Sequence, residues 1–315
     1  MLCGHLVTGD GLGGFSVSDP SNLPLAGIVV LDFGQVFQGP YATLLMAKAG
    51  ADVIKIEPPQ GEPLRRRALP GKSTTFPIAM LNSNKRAITL NLKHERGRAL
   101  LFEMAGRADV LLENFSSGTM DRLGVGWAEL RQVNPRLVYA SGSGDGLSGP
   151  DRDNLAMDLT IQAVSGLIST TGFPDGPPVK AEPAVVDFLS GIHLYAAVTT
   201  ALFERERTGK GRLVEVAMQE AAYATLTSHL EAYWQSGSVP PRTPATAAMR
   251  ARRSASIRPM TAMSRSTSRS RSIGIICWPR WAAKTCATTR VSRPMPTASH
   301  ISTRPTLSSA GGQRP

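Results

Sequence analysis

Asp187 is the residue whose neighbours best suit it to covalent chemistry. In AVVDFLSGIHLYAAV it stands where an apolar stretch turns helical, with Val185, Val186 and Phe188 around it. Partial desolvation by such neighbours suits a carboxylate nucleophile that forms a covalent acyl intermediate. The same position also suits a helix N-cap, since Asp is among the residues preferred for accepting the first backbone N–H groups. Spacing alone leaves both readings open. Arg65-Arg66-Arg67, after EPPQGEPL, is either a solvated loop or a clamp for phosphate groups.

Other motifs are weaker. G-x-G-x-x-G occurs at Gly9/Gly11/Gly14 and at Gly144/Gly146/Gly149, but a dinucleotide site needs those glycines between a strand and a helix N-terminus. The first match has no strand before it, and the second runs into Pro150, Asp151 and Arg152, so turn glycines are the reading expected. His5, His94, His193, His229 and His300 show no i, i+4 pairing, and Cys3, Cys277 and Cys286 form no paired-cysteine set. Neither a metal site nor a disulfide framework is expected, and the default setting is reducing and cytoplasmic.

The elements that would position Asp187 follow an alternating pattern from Leu25 onward. Strands are expected over 27–33, 51–57, 87–92, 109–113, 136–141 and 212–216. Helices are expected over 41–50, 95–106, 120–133, 157–169, 188–207 and 219–234. Short β-rich runs alternating with longer amphipathic ones predict an α/β fold with a doubly wound, largely parallel sheet, Rossmann-like in its layering. No apolar run approaches the roughly 18 residues of a membrane span, and no secretory leader is apparent. Residues 1–24 are expected to be a flexible extension.

Charge divides the chain. The total is 35 Lys+Arg against 24 Asp+Glu, yet the last carboxylate is Glu231, and the 84 positions from Ala232 onward hold 14 Lys+Arg. The first 231 residues therefore carry 21 basic against 24 acidic side chains. The basicity that would suggest a nucleic-acid binder belongs to the tail, where SRSTSRSRS and a Ser/Thr/Arg/Ala/Pro mixture predict no fold. Apart from Trp278 and Trp281 the tail lacks stacking aromatics and matches no nucleic-acid module, so no nucleic acid and no membrane are expected as partners. Nucleic-acid binding by the tail is the remote alternative.

From about 25 to 234 the chain resembles the class III coenzyme A transferases, the family that includes formyl-CoA transferase, carnitine CoA-transferase and α-methylacyl-CoA racemase. The resemblance is carried by PLAGIVVLDFGQVFQGPYATLLMAKAGADVIKIEPPQGEPLR, NSNKRAITLNLK, ADVLLENFSSGTMDRLGVGW, NPRLVYASGSG and TGKGRLVEVAMQEA, in that order. It implies CoA transfer between carboxylic acids, with an acyl-CoA and an acceptor acid as substrates and no metal or redox cofactor. Asp187 matches the family nucleophile, which cycles through mixed anhydrides and an aspartyl-CoA thioester. Phe37 and Gln38 are implied to line the CoA site, with Leu90 beside it. Arg65, Lys93 and Arg122 would meet CoA phosphates, and Asn114 and Phe115 would flank the adenine and pantetheine. Racemase chemistry is the alternative, but the position of the racemase base is Met157, followed by Asp158, and methionine takes no proton.

The resemblance also implies a small domain after the large one and an interlinked homodimer. Residues 25–243 match the large domain, whereas 244–315 do not resemble the continuation. A one-base slip of the reading frame near Thr243–Pro244 would explain the lost carboxylates and the Arg/Ser excess together. As written, the chain is then either a transferase or an inactive CoA-binding fragment.

Overall fold

The computed structural model describes residues 22–68 and 74–242. The leader expected over 1–24 lies outside these residues except for its last three, and the tail over 244–315 lies outside them altogether. Each strand is a short apolar run ending near a carboxylate or hydroxyl. They are β1 (Val29–Asp32), β2 (Asp52–Glu57), β3 (Arg86–Thr89), β4 (Val110–Glu113), β5 (Val138–Ser143) and β6 (Leu213–Ala217). All pair in parallel in the order β3-β2-β1-β4-β5-β6, which is the doubly wound sheet expected.

Parallel strands covered on both faces must be apolar at successive positions, and their side chains sort by parity onto the two faces. Val30 lies opposite both Val53 and Val110, and Val110 opposite Val138. This row packs on α1 (Gln38–Lys48) through Ala42 and Met46, and on α7 (Val185–Thr208) through Leu194, Val198, Ala201 and Leu202. The other face joins Leu31, Ile56, Leu111 and Tyr139 to Leu101 and Ala105 of α3 (Glu95–Ala105) and to Leu130 of α5 (Trp127–Val133). Truncating a fully buried member such as Leu194 to Ala should cost about 2–5 kcal/mol. Helix α7 is long and apolar enough to cross a membrane, which the sequence reading did not anticipate, but here its apolar stripe is core.

Several helices differ from their expected bounds. Helix α2 (Phe76–Leu81) was not expected, although Thr75, whose hydroxyl accepts the Ile78 N–H, and Pro77 together mark a helix start. The stretch over 120–133 is two helices, α4 (Thr119–Arg122) and α5, because Gly124 takes φ 70° between them. The stretch over 157–169 ends early as α6 (Asp158–Val164) at Gly166, φ 85°, and continues as a 3₁₀ turn over Leu167–Thr170. The last expected helix divides at Leu226 into α8 (Met218–Thr225) and α9 (Thr227–Ser236).

After β1 the chain moves outward to β2 and β3, then returns to place β4 on the other side of β1. Such a reversal opens a crevice at the carboxyl ends of β1 and β4, where ligands of doubly wound folds bind. The loops after β1 and β4 therefore border the site.

Candidate active site

The β1–α1 loop is held from below by a buried polar network. Asp32 is fully buried, with one carboxylate oxygen 2.8 Å from the Gly34 N–H and the other accepting from Thr43 Oγ1 at 2.8 Å and Lys85 Nζ at 2.9 Å. Burial alone would raise the Asp32 pKa, but Lys55, Lys85 and the hydrogen bonds outweigh it and leave it below the usual carboxylate range. Lys55, also buried, pairs with Glu62 at 3.3 Å and donates to the Gly34 carbonyl. These contacts force the loop through Val36 at φ 61°, a left-handed backbone that a β-branched residue rarely adopts. Strain of this kind persists where surrounding structure over-determines the chain.

That loop delivers Phe37 and Gln38 to the start of α7. Phe37 stacks on Phe188, ring centroids 5.7 Å apart, and Tyr41 meets the same ring edge-on at 4.8 Å. Gln38 is only 2% exposed, yet its amide Nε2 has no partner among the described residues. A Cβ on Gly142 would lie 2.6 Å from Gln38 Oε1, and one on Gly191 would lie 2.8 Å from the Gln38 carbonyl. Glycine at Gly142 lets β5 close on the side-chain amide, and glycine at Gly191 lets α7 close on the Gln38 backbone. Gly191 is one helical turn beyond Asp187, so the Phe37–Phe188 stack and the Gln38 backbone both meet α7 within a turn of Asp187.

Asp187 is not the N-cap. Helix α7 starts at Val185, earlier than the expected 188, and Ala184 at its N-cap position makes no side-chain bond. The cap comes from another element: Asp158 Oδ1 accepts from the Val186 and Asp187 N–H groups at 2.8 and 3.1 Å. Gln162 fixes Asp158 through a 2.5 Å bond to Oδ2 and is itself tied to both the N–H and the carbonyl of Ala181. Asp187, half-buried, receives no hydrogen-bond donor among the described residues, and burial, with the Asp158 charge second, raises its pKa to about 7. Met157 is 60% exposed beside Asp158 and carries no titratable group.

The remaining expected residues divide into two groups. Asn114 pairs with the backbone of Gln35, accepting its N–H at 2.6 Å and donating to its carbonyl at 3.0 Å. Phe115 packs edge-on against Phe33 at 6.4 Å. These two thus border the crevice and brace the loop. Arg65 is held by Glu57 through two 2.6 Å bonds at the end of β2 and remains 40% exposed, while the Leu90 N–H binds the Glu57 carbonyl and its side chain is buried. Lys93 and Arg122 are exposed, Arg122 bonding the Ser117 carbonyl and Thr119. The described contacts do not join these four to Asp187 directly.

Gly146 and Gly149 adopt φ 102° and 88° in a loop that no helix follows directly, as turn glycines do; the other glycine match lies outside the described residues. Sequence reasoning passed over Asp32, Lys55, Lys85, Asp158 and Gln162. The lysine between Ile54 and Ile56 in the strand DVIKIE was the one available signal, since an unpaired charge there would be untenable.

Comparison with known proteins places the chain in a family. The model of CoA-transferase family III matches residues 25–257. The formyl-CoA:oxalate CoA-transferase of Streptomyces avermitilis is 48% identical over 199 residues, which cover 62% of this chain and 48% of that protein. The acetyl-CoA:oxalate CoA-transferase of Acetobacter aceti is 41% identical over 221 residues, covering 70% and 57%. The chain spans about half the length of the curated relatives it matches. Among solved structures, a CAIB/BAIF family protein from Brucella suis superposes with TM-score 0.67 at 33% identity, over 70% of this chain and 60% of that one. A match that covers most of the chain, on a doubly wound parallel sheet, makes this protein a member of CoA-transferase family III.

Proposed function

We propose that the protein transfers CoA from an acyl-CoA to a carboxylic acid, with Asp187 as nucleophile. The carboxylate attacks the thioester carbonyl, the C–S bond breaks, and CoA leaves as thiolate from a mixed anhydride. The thiolate then attacks the aspartyl carbonyl, releasing the donor acid and leaving an aspartyl-CoA thioester. The acceptor carboxylate displaces the thiolate to form a second anhydride, and thiolate attack on the acceptor carbonyl yields the new acyl-CoA and frees Asp187. Gln38 would donate its unpartnered amide N–H to charge developing on the carbonyl oxygens.

The observation that carries this reading is the state of Asp187. It is a carboxylate that receives no donor among the described residues, with its pKa raised to about 7 by burial first and by Asp158 second. Such a group is more nucleophilic than an ordinary carboxylate and is still ionised in about half the molecules at neutral pH. The names of the relatives make formyl-CoA or acetyl-CoA with oxalate the first donors and acceptor to assay.

The test is to incubate the protein with the acyl-CoA and read the mass of the peptide containing Asp187. A CoA adduct there, absent from Asp187→Asn, is the expected result. An adduct on another residue, or exchange undiminished in Asp187→Asn, would overturn the assignment.

A further inference from the structure

Glu113 is a buried acid that the transfer reaction does not use. It ends β4, is 5% exposed, and lies opposite Ser141 of β5. Its Oε2 accepts the Phe115 N–H at 2.8 Å, and the Ser141 hydroxyl, beside it on β5, helps to hold its pKa down. The groups facing it are acidic or neutral: Asp121 from α4 and Tyr139 from β5. Among the described residues no lysine, arginine or histidine reaches it as an ion-pair partner. It borders a cavity of about 230 Å³ shared with Ser117, Thr119, Asp121, Trp127 and Tyr139.

The contacts continue from Glu113 toward the active site without a break. Glu113 grips the Phe115 amide, and Phe115 packs on Phe33 in the β1–α1 loop. Between them Asn114 holds both backbone groups of Gln35, two residues before Phe37 and three before Gln38. Phe37 in turn stacks on Phe188, the neighbour of Asp187. We infer that Glu113 is a positioning residue that sets the β1–α1 loop, and with it Phe37 and Gln38, at the CoA crevice. The inference rests on the proposed CoA site for its functional consequence, but the mechanical link stands on the contacts alone.

The grip depends on charge. An ionised carboxylate accepts an N–H roughly twice as strongly as a neutral acid does. Burial first, and Asp121 last, raise the Glu113 pKa to about 7 against the opposing pull of Ser141 and the Phe115 N–H. The loop is therefore held more firmly above pH 7 than below it.

The test uses the full chain and two readouts. Amide exchange over 33–38 and at Phe115, measured by mass spectrometry from pH 6 to 8.5 after correction for intrinsic rates, should show protection rising through about pH 7. Glu113→Gln keeps an acceptor for Phe115 but cannot titrate, so its protection should be flat. Affinity for CoA, measured by calorimetry over the same range, should improve about three- to tenfold with pH in the wild type beyond any change seen in Glu113→Gln. The phosphate ionisations of CoA are common to both proteins and cancel in that comparison. If exchange over 33–38 has the same pH dependence in both, the inference is overturned. If the exchange difference is present but CoA does not bind either protein, the positioning link survives and the CoA-transfer reading is what fails.

Discussion

Asp158 and Asp187 meet at one helix start with opposite assignments: Asp158 Oδ1 accepts the N–H of Asp187 at 3.1 Å and that of Val186 at 2.8 Å, while among the described residues the Asp187 side chain receives no donor. Backbone N–H groups at a helix N-terminus stabilise whichever carboxylate they point to. Here they serve the residue from α6, and Asp187, although within the first turn, is shifted upward by burial and by the Asp158 charge. One acid caps the helix while the other keeps a raised pKa.

The pH dependence of catalysis should expose this division. In the free enzyme kcat/KM for acyl-CoA should rise through about pH 7 as Asp187 ionises. Asp158→Asn keeps an amide oxygen for the cap but removes the charge, so the rising limb should move to lower pH. A limb that stays in place would show that Asp158 has no electrostatic hold on Asp187. The measurement is a pH–rate profile of both proteins with acetyl-CoA and oxalate.

Stability should move the opposite way. A carboxyl whose folded pKa lies above its unfolded value contributes stability that is whole below the unfolded pKa and lost as pH rises through the folded one. For Asp187 the window runs from about 4 to about 7. After allowance for solvent at this half-buried group, Asp187→Asn should be more stable than the wild type by about 1–2 kcal/mol at pH 8 and nearly equal to it at pH 4. Thermal melts at the two pH values test this; equal midpoints at pH 8 would show that Asp187 has no raised pKa in the folded protein.

Much of this fold was legible because a doubly wound sheet writes itself in apolar runs separated by amphipathic ones. GIVVLDF, ADVIKIE and RLVYAS each coincided with a strand to within a few residues, and the alternation implied the parallel order. Asp187 was legible from its apolar neighbours. Its relation to Asp158 was not, because a cap supplied across 29 residues of chain leaves no local pattern. The helix start at Val185 was misplaced for the same reason, since the cap was sought within the segment. The network under the β1–α1 loop was hidden too: Lys55 and Lys85 become partners of Glu62 and Asp32 only after β2 is set beside β1 and β3 beside β2.

Gln38 should show a trade of stability for activity. A buried amide N–H without a partner costs about 1–3 kcal/mol, and Gln38 Nε2 is such a group in a site closed by Gly142 and Gly191. Gln38→Met has nearly the same shape and nothing to satisfy. It should unfold at higher urea concentration than the wild type while kcat falls by about a hundredfold, the usual loss of a donor to developing oxyanion charge. A variant that loses stability along with activity would mean that Gln38 is structural.

The Asp32–Lys85 pair tests whether the loop is held by charge or by packing. Both side chains are buried, and the Lys85 pKa is pulled down by desolvation while Asp32 pulls it back. Removing one partner of a buried pair strands the other, at about 3–5 kcal/mol, whereas replacing both by apolar groups can be nearly neutral. Lys85→Met should therefore destabilise strongly, and Asp32→Leu with Lys85→Met should recover much of that loss in urea unfolding. The recovery should not extend to the site. Asp32 also fixes the Gly34 N–H and Thr43, so in the double variant Val36 is free to leave its left-handed backbone and Phe37 to leave Phe188. CoA affinity should stay low in a protein that folds well; affinity restored together with stability would show that packing alone sets the loop.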